Sequence, residues 1–388
     1  MNFLKYSILF LILCNIPSYS LAYFGGTLGS LTSYASSLLL IVFFFFVKDR
    51  NKPLLPFIIL GLLYFLIGAI NYTHLDEGNY FVKEFIRFMI VVVCGAEVIK
   101  RTTTKDIYLI LLLGGLSVLI NAIIFPSANA NFSATYGRYS GFYLNPNFAG
   151  QICLVGYAIS FSISRQAWKL IGQFVFTLAG ILTFSRTFIV VWLVISLFAI
   201  IQSKKNIRVP AIGAIVIILV LAFAESMTLN KDRFSAFQSI FGSEQVKTKI
   251  ISKDTRDQTW SLYYDMALDK PFIGNGYLKL SKKYQGKPGA HNSFLMIFGE
   301  AGVIPLLVML GIYGYLLLKS FTFFKTQPEV FYITLVIVLA LMTSHQYFTV
   351  FYFVFVSMFV YFRLEELSSV QNTSLNLPNN KPPTTLPN

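Results

Sequence analysis

Three short polar stretches stand immediately before apolar runs, and each carries residue types that start a helix and invite an anion. Asn145-Pro146-Asn147 sets a capping amide before a proline at the first helical position. Ser185-Arg186 sets a cap beside a guanidinium, and His291-Asn292-Ser293 opens the apolar stretch that holds Glu300. Unpaired backbone N–H groups and the helix dipole favour negative charge at such starts. Between the last two lies Asp254-Thr255-Arg256-Asp257, where Asp254 reads as a cap with Arg256 in the first turn. Trp260, Tyr263, Tyr264 and Ala267 follow at helical spacing on one apolar face, and Pro271 ends the run. Asp254 and Asp257 partly offset the field around Arg256. Two guanidinium forks, each giving parallel hydrogen bonds, suit the two phosphates of a diphosphate, although arginines at helix ends also serve as interface anchors.

The elements that must hold these residues are membrane helices. Of 388 residues, 55% are hydrophobic, 16% aromatic and only 12% charged. A mean hydropathy of +0.65 is far above that of a soluble domain. The expected fold class is therefore an all-α polytopic membrane protein. Apolar windows of about 17 to 25 residues predict about twelve spans. They fall near 4–22, 28–47, 54–70, 81–99, 106–125, 147–164, 168–184, 187–202, 209–226, 292–318, 330–344 and 347–363. The net charge of +14 comes mostly from Lys and Arg between these windows, so it reports topology rather than nucleic acid. Basic connections such as 48–52, 100–105, 165–169, 204–208 and 319–325 alternate with connections poor in Lys and Arg, which predicts cytoplasmic termini. The alternation also keeps residues 4–22 as a first span, although Ser18 to Ala22 imitates a cleavage site.

The expected organisation is then about nine helices in 1–226, one large periplasmic loop with short helices over 227–291, about three helices in 292–363, and a disordered cytoplasmic tail over 364–388. Cys14, Cys94 and Cys153 lie in apolar windows, are odd in number and lack ligand spacing, so neither a disulfide framework nor a metal site is expected.

Gly137-Arg138-Tyr139-Ser140-Gly141 with Asn145-Pro146-Asn147, Thr183 to Thr187, Trp260 through Pro271 to Tyr277, and His291 to Leu295 with Glu300-Ala301-Gly302 together resemble the O-antigen ligase and polymerase superfamily. These bacterial polytopic glycosyltransferases use polyprenyl-diphosphate-linked glycans. The resemblance runs from about Gly137 to Gly302 and implies catalytic roles for Arg186, Arg256 and His291. It further implies an inner-membrane enzyme with a periplasmic site, no cofactor, and undecaprenyl-diphosphate-linked donor and acceptor glycans as partners beside the lipid bilayer. A chain-length regulator and a flippase would be further partners. The rather short loop and the basic, Phe/Tyr-rich bundle look more like a Wzy-type polymerase of O-antigen or capsular polysaccharide than a ligase or protein O-oligosaccharyltransferase.

On that reading His291 accepts or orients the acceptor hydroxyl proton, while Arg186 and Arg256 stabilise the departing diphosphate. Arg138 is a third candidate contact. Arg87, beside Lys83 and Glu84, either faces the lipid diphosphate or belongs to a local ion pair. Asn145, Asn147, Asn292, Trp260 and Tyr277 are candidate glycan contacts, with the aromatic rings able to stack on sugars. Glu300 is expected in a structural ion pair or as an orienter of Arg186. A lipid-glycan flippase or secondary transporter shares the span count but predicts charges near the membrane midplane, whereas here the polar residues gather at one face.

Overall fold

The structure, a computed structural model, describes residues 1–73, 80–129, 137–222, 256–281 and 289–376. These form an all-helical bundle without strands among the described residues. In chain order the helices are α1 (Asn2–Leu13), α2 (Ile16–Phe46), α3 (Leu55–Ile70), α4 (Tyr80–Lys100), α5 (Thr104–Ile123), α6 (Pro146–Ser160), α7 (Gln166–Leu182) and α8 (Arg186–Gln202). They continue as α9 (Arg208–Ala222), α10 (Arg256–Asp269), α11 (Ser293–Ala301), α12 (Val303–Thr322), α13 (Pro328–Leu341) and α14 (Tyr352–Asn376).

Among the described residues, α2, α5 and α12 are long and apolar enough to cross a membrane unaided. Shorter apolar helices, α1, α3, α7, α8 and α13, account for other expected windows. The windows near 4–22 and 28–47 are cut differently from expectation. Asn15 adopts φ 53°, Pro17 follows, and Gly25 breaks α2 at φ 81°, so the first break comes earlier than hydropathy shows. The predicted span 292–318 is two helices, because Gly302 at φ 84° and ψ −171° separates α11 from α12. At the C-terminal end, α14 runs to Asn376, well past Arg363 where the span was expected to close.

Buried Tyr, Phe and aliphatic side chains fill the bundle, and α6 sits at its centre, packed on α5, α7, α8 and α13. One end is tied by charge. Asp106 takes Lys5 Nζ at 2.7 Å and the Tyr6 hydroxyl at 2.6 Å while forming a capping box with Thr103. Nearby, Glu97 pairs with Arg101 and accepts the Asn51 N–H at 2.7 Å. The opposite end carries the helix starts singled out in the sequence.

Much of the loop expected over 227–291, including Asp254, lies outside the described residues. Its described part, from α10 to Ser281, docks on the bundle by backbone bonds. Asn275 donates its N–H to the Gly299 carbonyl at 2.7 Å, and Gly276 donates to Glu300 at 3.0 Å. Those carbonyls are left free by the end of α11, so the loop satisfies what the helix break exposes. Tyr277 N–H reaches the Gly68 carbonyl at the end of α3 at 2.9 Å.

Candidate functional site

The predicted starts are real caps. Asn145 Oδ1 accepts the Asn147 N–H at 2.8 Å with Pro146 at the first helical position of α6. Ser185 Oγ accepts from Phe188 N–H at 3.4 Å, which makes Arg186 the first residue of α8 with an exposed side chain. Asn292 Oδ1 accepts from Phe294 and Leu295 N–H at 3.0 and 3.1 Å, leaving exposed His291 just ahead of α11.

A chain of short contacts joins these starts. Arg138, buried, donates from Nε to the Thr183 carbonyl at 2.8 Å and from Nη2 to Asn147 Oδ1 at 2.9 Å. It therefore binds the turn before Arg186 to the start of α6. One turn further along α6, Gln151 donates from Nε2 to Thr343 Oγ at 3.1 Å and accepts from the Tyr352 hydroxyl at 3.0 Å. Next along that α13–α14 turn, the Ser344 carbonyl accepts the Ser293 hydroxyl at 2.7 Å. His345 Nδ1 accepts the His291 N–H at 3.1 Å, with the two rings 4.6 Å apart and inclined at 72°. Arg186 and His291, distant in sequence, thus stand at one end of the bundle.

His345 was not among the sequence candidates. It holds the residue before α11 by its backbone, and His291 adopts φ 49°, a left-handed conformation that this bond helps to fix. Burial, and then the neighbouring His291, push the His345 imidazole down to about 4, against a hydrogen bond with the Ser281 backbone that acts the other way. At neutral pH the ring is uncharged and accepts at Nδ1. A cavity of about 150 Å³, lined by His345, Gln346, Ser281, Tyr64 and Tyr277, lies beside it and has room for a few water molecules.

Several expected ligands are spent on the protein itself. Glu300 was expected to meet a cation. Instead Oε1 accepts the Leu280 and Ser281 N–H groups at 2.8 and 2.7 Å, and Oε2 accepts the Tyr64 hydroxyl. A buried carboxylate with no cation beside it among the described residues is tolerated because its lone pairs are filled, and here it staples the loop to α3. Tyr277, expected as a sugar platform, is 3% exposed, its ring 5.2 to 6.0 Å from Tyr64, Phe65, Tyr72 and Phe81. Asn145 and Asn292 are caps, and Asn147 orients Arg138.

The apolar face of α10 is narrower than its spacing predicts. Tyr263 and Ala267 are buried and Trp260 is half-buried, but Tyr264 is exposed because one residue on from Tyr263 turns it about 100° away. That face packs on α11. α10 begins at Arg256, whose side chain lies outside the described part of the chain. Arg87 reaches the same end from α4, with Nη1 3.4 Å from Glu84 and the guanidinium 5.4 Å from the Phe351 ring of the α13–α14 turn.

Fold and site define a helical membrane protein that carries a guanidinium and a paired imidazole at one end of its bundle. Residues 171–310 match the family model described as O-antigen ligase, in keeping with the resemblance of the chain to the O-antigen ligase and polymerase superfamily. No curated protein matches the chain. The matched stretch contains Arg186, Arg256, His291 and Glu300 and stops short of His345.

Proposed function

We propose that the protein is a membrane glycosyltransferase that joins polyprenyl-diphosphate-linked oligosaccharide repeat units into O-antigen or capsular polysaccharide at the periplasmic face. The carrying observation is the convergence of the α8 start, with Arg186, and the His291–His345 pair on one end of the bundle. A lipid diphosphate is a competent leaving group, so the reaction needs positioning and charge stabilisation more than activation. His291 takes or orients the proton of the acceptor hydroxyl as oxygen attacks the anomeric carbon. The C–O bond to the diphosphate breaks, and Arg186 with Arg256 receives the developing negative charge. His345, neutral and hydrogen-bonded to the His291 backbone, fixes the imidazole that does this work.

Purified His291→Ala protein, reconstituted with lipid-linked repeat units, is expected to lose glycan extension by about a hundredfold or more while melting as the wild type does. Extension at the wild-type rate by that folded variant would overturn the role. The matched family's description favours a second reading, transfer of finished polymer to an acceptor as a ligase. Deleting the gene in its host separates the two on a gel of surface glycan. Single repeat units on the acceptor lipid indicate a polymerase, and unattached polymer indicates a ligase.

A further inference from the structure

At the bundle end opposite His291, a cavity of about 830 Å³ opens between the α4–α5 link, the α6–α7 link and the flank of α14. α6 runs from one end to the other, and its 15 residues put about 22 Å between them. Lys100, Arg101, Lys105, Arg165 and Arg363 line the cavity, with Glu366 as the carboxylate among them. Lys100 Nζ and Arg363 Nη1 share that carboxylate at 3.9 and 3.2 Å, and Arg101 is engaged by Glu97. Lys105 and Arg165 have no side-chain partner among the described residues. Both lie within one residue of a helix start, Thr104 of α5 and Gln166 of α7, where the backbone field is also positive. The remaining wall has Thr and Ser hydroxyls near the helix links and an apolar part in which Leu109, Phe359 and Phe362 lie.

A surplus of positive charge next to an apolar wall, at a membrane-facing bundle end, matches a molecule with an anionic head and a hydrocarbon body. A free phosphate ion would use the cations and leave the wall bare. We propose that this cavity holds the phosphate headgroup of an anionic phospholipid, its glycerol and first acyl carbons lying on Phe359 and Phe362. By the positive-inside rule this end faces the cytoplasm, so the lipid comes from the inner leaflet. The site is separate from the glycan chemistry and stands whether or not that reading survives.

The test uses the full-length protein in nanodiscs of equal phosphatidylglycerol and phosphatidylcholine, extracted in mild detergent, with retained lipid counted by native mass spectrometry. The wild type is expected to keep phosphatidylglycerol over phosphatidylcholine by about tenfold, and Lys105→Gln/Arg165→Gln to bring the ratio near parity. Lys105→Arg/Arg165→Lys, which preserves charge should the neutral pair fold poorly, is expected to retain it. Lys48→Gln/Lys52→Gln, removing equal charge elsewhere at that end, is expected to change nothing. Equal retention of both lipids by the wild type, undiminished retention by the neutral pair, or displacement of the lipid by millimolar inorganic phosphate would each overturn the proposal.

Discussion

His291 and Arg186 reach the proposed centre from different elements. The His291 backbone is bound by His345, and Arg186 is the first residue of α8, with an exposed side chain. On the proposed reading Arg186→Ala is expected to slow turnover by about a hundredfold, and Arg186→Lys to recover only part because an ammonium lacks the fork. Initial-rate measurement beside a melting curve checks both. His345 carries a pH signature. Its imidazole lies below the usual 6.5 in the folded protein, so unfolded chains bind the extra proton between those values. The stability it contributes is complete above about pH 6.5 and is lost as pH falls toward 4, by at most about 3 kcal/mol. Melting temperature against pH should show that decline in the wild type and a shallower one in His345→Gln; parallel curves would contradict it.

The helices show where sequence is informative and where it falls silent. The caps at Asn145, Ser185 and Asn292 were legible because capping is a local contest between side chain and backbone, settled within three residues. The stop of α10 before Pro271 was legible for the same reason. The break at Gly302 was hidden, since Ala301-Gly302-Val303 is apolar and hydropathy cannot register a dihedral angle. His345 was missed because it sits in a short turn between two apolar windows; the polar run Thr343 to Gln346 in that setting, with one of only three histidines in the chain, was the available signal. Glu300 was read as a partner for a cation because the loop N–H groups that satisfy it come from 20 residues away. Gly302→Ala is expected to destabilise the protein by about 1–3 kcal/mol, since a side chain at φ 84° is strained and its Cβ would press on the Phe272 carbonyl. Glu300→Ala should cost a similar amount by leaving buried N–H groups unpaired, and Glu300→Gln less. Chemical denaturation in detergent ranks the three.

At the scale of the whole bundle, hydropathy made the helical membrane class legible, and the charge alternation predicts a direction. Helices such as α13, with 14 residues, are shorter than the windows that predicted them because turns and caps consume their ends. The three cysteines are buried, which makes the native chain a silent background for labelling. A membrane-impermeant maleimide is expected to reach Thr349→Cys from outside intact spheroplasts and Lys105→Cys only after permeabilisation; the reverse pattern would invert the orientation.

The turn between α13 and α14 has a consequence in time. Residues 343–351 are synthesised after helices α1 to α13, yet they supply the groups that seat Gln151, Ser293 and His291. A nascent chain that has inserted every earlier helix still lacks the clasp on His291. On the proposed reading, a product truncated before Ser344 would be inactive, because it lacks the Ser344 carbonyl and the His345 ring that seat Ser293 and His291.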